Sequence, residues 1–130
     1  MSTRETLLDA LCATLSPILP AAVWRSRKEQ FPSLPAIVIT PESEVDPGEL
    51  LGCTDTTLTV AIAVYARGEI PDQAIGPVLD SVINALKVDP TLGLGSDVQI
   101  LPGRRIEWDS ENYDDGVATL RLEITYRTLP

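Results

Sequence analysis

The sequence contains no histidine. The commonest general base and the commonest transition-metal ligand are therefore missing. Serine triads and cysteine–histidine pairs are excluded outright. Cysteine is scarce as well, with only Cys12 and Cys53. Cys12 falls on the apolar side of a helical pattern and Cys53 in a polar stretch. The pair reads as two thiols of a reducing compartment, not as a disulfide framework or a zinc set. A Gly-rich phosphate loop is also lacking. Gly93-Leu94-Gly95 follows a helical pattern instead of a strand, so the dinucleotide reading fails. No apolar run approaches the ~20 residues that span a bilayer. Acids interrupt the opening stretch, Met1 to Leu15, and no small-residue cleavage site follows, so it reads as a helix of the mature protein.

Basic residues are in short supply: 10 Lys and Arg stand against 19 Asp and Glu, a net charge of −9. Phosphate neutralisation needs clustered cations, so specific nucleic-acid binding and an anionic membrane surface are both disfavoured. The charge is uneven. Glu42, Glu44, Asp46, Glu49 and Asp55 form one acidic segment, and Glu107, Asp109, Glu111, Asp114 and Asp115 form a second. Bases gather at Arg25, Arg27 and Lys28, and again at Arg104 and Arg105. Opposite patches on one chain can dock head to tail with copies of themselves. The second acidic run is not a calcium loop. With Asp109 at the first loop position, Asp114 replaces the sharp-turn glycine and Leu120 replaces the bidentate glutamate. A looser divalent site stays open. No carboxylate pair is singled out by an apolar setting, so no catalytic, cofactor-binding or metal-binding residue is expected, and no enzyme activity. Trp24, beside Arg25 and Arg27, either stacks on a base or, more commonly for such a residue, anchors a strand or fills an interface.

What is present is pattern. With 44% apolar residues, the 130-residue chain reads as one domain, residues 1–130, with a real core. Ser2 and Glu5 suit a capping box, and Leu7, Leu8, Leu11, Leu15 and Ile18 recur at helical spacing until Pro17 and Pro20. Val23 to Arg27 suits a short strand. Ala36 to Thr40 is apolar on both faces and suits a central one. Pro41 to Asp55 is acidic, holds Pro47, Gly48 and Gly52, and reads as a mobile loop. Thr56 to Ala66 alternates, with small residues on its second face. A helix is predicted from about Asp72 to Val88, on the stripe Ile75, Val78, Leu79, Val82, Ile83 and Leu86. Val98 to Trp108, interrupted at Pro102-Gly103, and Asp114 to Arg127 alternate again. The result is an α+β fold: a mixed or antiparallel sheet of about four to five strands, both helices on one face, and a long C-terminal β-hairpin.

At about 3.4 Å per residue, the last strand would reach roughly 46 Å. A compact domain of this size is only about 36 Å across. The hairpin must then bend or overhang its domain, and an overhanging edge suits another chain.

The layout resembles a known family. Trp24-Arg25-x-Arg27 follows an amphipathic helix. Leu34-Pro-Ala-Ile-Val-Ile39, an acidic stretch and Leu58-Thr-Val-Ala-Ile-Ala-Val-Tyr65 come next. Val78-Leu-Asp-x-Val-Ile-x-Ala-Leu86 precedes a hairpin ending Leu122-Glu-Ile-Thr-Tyr-Arg-Thr128. Nearly the whole chain is similar to the tail terminator proteins of long-tailed phages and prophages, the group typified by minor tail protein U. The resemblance implies a structural subunit that closes into a six-membered ring with copies of itself. Such a ring caps the major tail tube protein and offers a surface to the head–tail connector. It implies a place in the virion tail, assembly in the host cytoplasm, and no cofactor. It supplies no residue-by-residue motif. The interface candidates therefore come from the charge pattern: Trp24, Arg25, Arg27, Arg104 and Arg105 against Glu42, Glu44, Asp46, Glu107, Asp109, Glu111, Asp114 and Asp115. Two other readings stand beside it: a different head–tail joining or tail completion component, and a stand-alone α+β dimer that binds a small ligand.

Overall fold

Alternating residues at the C-terminal end make the longest strand, β6 (Asp115–Thr128), in a computed structural model that describes residues 3–19, 22–26, 35–46, 54–68, 70–95, 97–110 and 115–128. The other elements are α1 (Thr3–Leu15), β1 (Val23–Arg25), β2 (Ala36–Val45), β3 (Thr54–Arg67), α2 (Pro71–Val88), β4 (Val98–Ile100) and β5 (Arg105–Ser110). The sheet order is β1-β2-β3-β6-β4, and β5 also pairs with β6. β1 is parallel to β2; every other pairing is antiparallel. The α+β class and the mixed sheet agree with the sequence reading. The strands number six because the segment from Val98 to Trp108 is split in two. Pro102 cannot donate a ladder hydrogen bond, and Gly103 adopts φ 105°, so the strand stops and restarts.

The alternation sorts side chains onto two faces. Leu58, Val60, Ile62 and Val64 of β3 meet Leu120, Leu122 and Ile124 of β6 and Ile37 and Ile39 of β2 on the inner face, all buried. Leu7, Leu8, Leu11 and Leu15 of α1 and Ile75, Leu79, Val82 and Leu86 of α2 close the same core cluster. Both helices therefore lie on one sheet face, as their single apolar stripes require. The outer face carries no helix among the described residues. It is apolar at one end (Ala36, Val38, Ala61, Val117) and polar at the other (Thr57, Thr59, Glu123, Thr125).

Two expectations are corrected. Pro41 to Val45 is not loop: β2 continues through it, paired to β3 with a bulge between Pro41 and Ser43. β3 likewise begins at Thr54. The acids there are neutralised from neighbouring elements, and that is what lets an acidic segment stay in a ladder. Residues 47–53, with Cys53 and Glu49, lie outside the described residues.

The second correction concerns the overhang. β6 is as long as expected, but its full-length partner is β3, in register from Thr54↔Thr128 to Arg67↔Asp115. The hairpin with β5 has six pairs, Arg105↔Arg121 to Ser110↔Gly116. The inner side of β6 is covered from Ala118 to Tyr126, none of these inward residues being more than 6% exposed. An 18-residue α2, about 27 Å long, lies over β3 and β6 beside α1 and spends the strand's length on its own core. Of the sheet, among the described residues, the outer face and the two edges are left for other molecules.

Candidate functional site

Arg25 closes β1 and points to α1. Its Nη1 donates to Glu5 Oε2 at 2.8 Å and to Asp9 Oδ1 at 3.3 Å. Hydrogen bonding and the charge of Arg25 hold the Glu5 carboxyl below its ordinary range. Arg25 thus ties strand to helix within the subunit. Trp24, beside it, pairs with Val38 and is half-buried. Arg27 lies outside the described residues, as do Glu111 and Asp114; Asp115 opens β6, but its side chain is outside them too.

Across the outer face runs a charge ladder. Arg121 of β6 donates to Glu42 Oε1 at the β2 bulge, 2.8 Å away, and to Glu107 of β5. Arg105 Nε lies 3.8 Å from the same Glu107. Arg105 and Arg121 sit directly opposite each other, a like-charge pair that the two carboxylates make tolerable. The structure therefore brings together Glu42, Glu107 and Arg105 from three separate sequence clusters. The residue that joins them, Arg121, was missed. Its signal was its outward position in an alternating strand, but its partners depend on register.

Glu44 faces inward. Arg4 grips it with Nη2 at 2.7 Å and Nε at 2.9 Å, and the Tyr126 hydroxyl donates to it at 2.6 Å. These bonds hold the Glu44 carboxyl below its ordinary range, while burial first and then the hydrogen bond to Glu44 push the Tyr126 phenol up. Arg127 pairs with Asp55 at 2.8 Å. Asp46, Asp109 and Arg104 are exposed.

The break between β4 and β5 opens a groove of about 360 Å³. Its walls are Ile83 and Leu86 of α2, Ile100 and Leu101 before the break, and Leu120 and Leu122 of β6; Lys87 and Arg104 stand at its rim. Leu101 N still donates to Glu123 O at 2.9 Å, so the chain leaves the sheet only at Pro102. Trp108 pairs with Ala118 on the same inner side and is 52% exposed. Among the described residues no carboxylate or thiol lines the groove, so its chemistry is apolar contact inside a cationic rim. Among the described residues, no group of three or more Cys, Asp or Glu converges where a metal ion would be held. The charge pattern marks Arg104, Glu107 and Asp109 but not the hollow, which exists only once α2 is placed over the break.

No protein-family model matches the chain, and no curated protein matches it. Solved structures do match. One is a chain in a structure titled "Virion of native gene transfer agent (GTA) particle", with a TM-score of 0.63 at 15% identity, covering 89% of this chain and 86% of that one. At that identity the likeness is one of fold.

Proposed function

We propose that this chain is a structural protein of a phage-like virion, and more narrowly a tail terminator. Copies of it would close into a ring, six-membered by resemblance, that ends the major tail tube and presents a surface to the head–tail connector. The observation that carries the reading is the fold shared, over nearly the full length of both chains, with a chain of a gene transfer agent virion. The element layout quoted from the sequence supports it independently. So does the sheet itself, which among the described residues has one face without a helix and two chemically unlike edges, as a ring contact between different patches requires. The charge of −9 suits a subunit near a DNA path, because like charges repel and the DNA does not stick.

Electron microscopy of the chain produced together with its neighbouring tube protein tests this. Rings at the ends of tubes of uniform length are expected. Tubes of unlimited length with the chain left in solution would exclude tail capping; rings found only at the head vertex would favour the head–tail joining reading. The groove supports a second reading, a small-ligand site, since its size falls within the range of such pockets. Native mass spectrometry of the purified chain would reveal a retained small molecule.

A further inference from the structure

We infer that the groove beside α2 is the socket of a head-to-tail contact, and that the Glu42–Asp46 strand end of a second copy fills it with Val45 inserted. This rests on the ring reading and names its contact. The groove combines an apolar wall with Lys87 and Arg104 at the rim. Neither cation forms an ion pair with another described residue, whereas Arg4, Arg25, Arg105, Arg121 and Arg127 all do. Two cations without an ion pair among the described residues, set around an apolar hollow on a chain of net charge −9, suit an occupant that is apolar at its tip with a carboxylate beside it.

The chain carries such an occupant on its opposite edge. Val45 is 61% exposed and stands between Glu44, whose carboxylate Arg4 and Tyr126 already hold within the subunit, and the exposed Asp46. β1 covers only Ile37 to Ile39 of β2, so among the described residues no strand flanks the outer side of β2 from Thr40 to Val45. Knob and socket lie on opposite edges of one sheet. Each copy that fills a socket therefore still offers its own socket, and the contact propagates until it closes. Had both lain on one edge, a two-fold dimer would satisfy them and stop. Trp108, half-exposed on β5 at the same sheet edge, supplies the kind of large side chain that dominates interface energies.

The test uses the full chain carrying Cys12→Ser and Cys53→Ser, with Val45→Cys or Pro102→Cys added singly, treated with a short bis-maleimide. The mixture of the two variants is expected to give a covalent dimer, and neither alone. The chain with both is expected to give a ladder of closed oligomers. Arg104→Glu should cut the mixed product about tenfold, as should high salt. A dimer from Pro102→Cys alone would mean an isologous contact and overturn the inference; so would no product at millimolar concentration. The unaltered chain gives a reading independent of the variants' folding. Amide exchange at Leu101–Arg105 and at Ser43–Asp46 should slow together as concentration rises, and slowing at one segment only overturns the pairing. Cross-linked rings that fail to end tail tubes would instead sink the tail-capping function and leave this contact standing.

Discussion

The hydroxyl of Tyr126 donates to Glu44 across 82 positions of sequence, at 2.6 Å. Arg4 holds the same carboxylate with two N–H groups, so one side chain pins α1, β2 and β6 together at one end of the sheet. A strand end rich in acids is kept in the ladder by this clasp.

Removing the clasp should cost measurable stability. Tyr126 is only 6% exposed, and Tyr126→Phe is expected to cost about 1 kcal/mol. Glu44→Ala strands both donors and should cost about 1–2 kcal/mol, at the lower end because Arg4 is well exposed. In a urea-unfolding double-mutant cycle the two changes should couple by about 0.5–1 kcal/mol. Strict additivity would show that the hydroxyl and carboxylate do not act on each other.

Stability should fall on the acid side. The carboxyls of Glu5, Glu44 and Asp55 are all held below their ordinary values in the folded chain by Arg25, Arg4 with Tyr126, and Arg127. A depressed carboxyl stabilises the fold above its unfolded value and loses that contribution as pH drops through the folded one. The urea midpoint should be flat from about pH 7 to 5 and decline below about 4.5. Protonation also relieves repulsion among nineteen acids, an opposing effect. At about 0.15 M salt that diffuse repulsion is screened beyond about 8 Å, so the contact pairs should prevail. A midpoint that climbs from pH 5 to pH 3 would reverse this judgement.

Core and socket should separate by mutation. Leu120 is fully buried under α2, and Leu120→Ala should destabilise by about 2–5 kcal/mol. Trp108→Ser, at a half-exposed edge position, should change stability by less than about 0.5 kcal/mol. It should nevertheless weaken self-association in sedimentation experiments. A large loss of stability from Trp108→Ser would place that ring in the core instead.

Gly103 tests the break itself. Nothing lies within 4 Å of an added Cβ, so Gly103→Ala meets no steric barrier. The cost is the backbone at φ 105°, about 1–2 kcal/mol, read as a lowered thermal midpoint. An unchanged midpoint would indicate that the segment from Leu101 to Arg104 relaxes freely.

The elements legible in the sequence are those whose signal is local. The period of two in Leu58 to Val64 and in Ala118 to Tyr126 reported β3 and β6, and the stripe from Ile75 to Leu86 reported α2. Pro102-Gly103 reported the interruption between β4 and β5. The continuation of β2 into Glu42 and Glu44 was hidden, because Pro41 and clustered acids read as loop until Arg121 and Arg4, 79 and 40 positions away, are seen to neutralise them. The overhang failed for a related reason. Strand length was visible, but the equal length of β3 and the reach of α2 are facts of assembly between distant segments. Charge clusters located most of the ladder's members without showing that Arg121 links them.

The border formed by β4 and β5 has one more property. A long straight row of unsatisfied amides and carbonyls lets one sheet recruit the next without limit, the route to fibres. Here that row is three residues, a detour, then six. Runaway stacking finds no template long enough to start from, and adhesion at this border is decided by side-chain fit instead of by the peptide backbone that every protein shares.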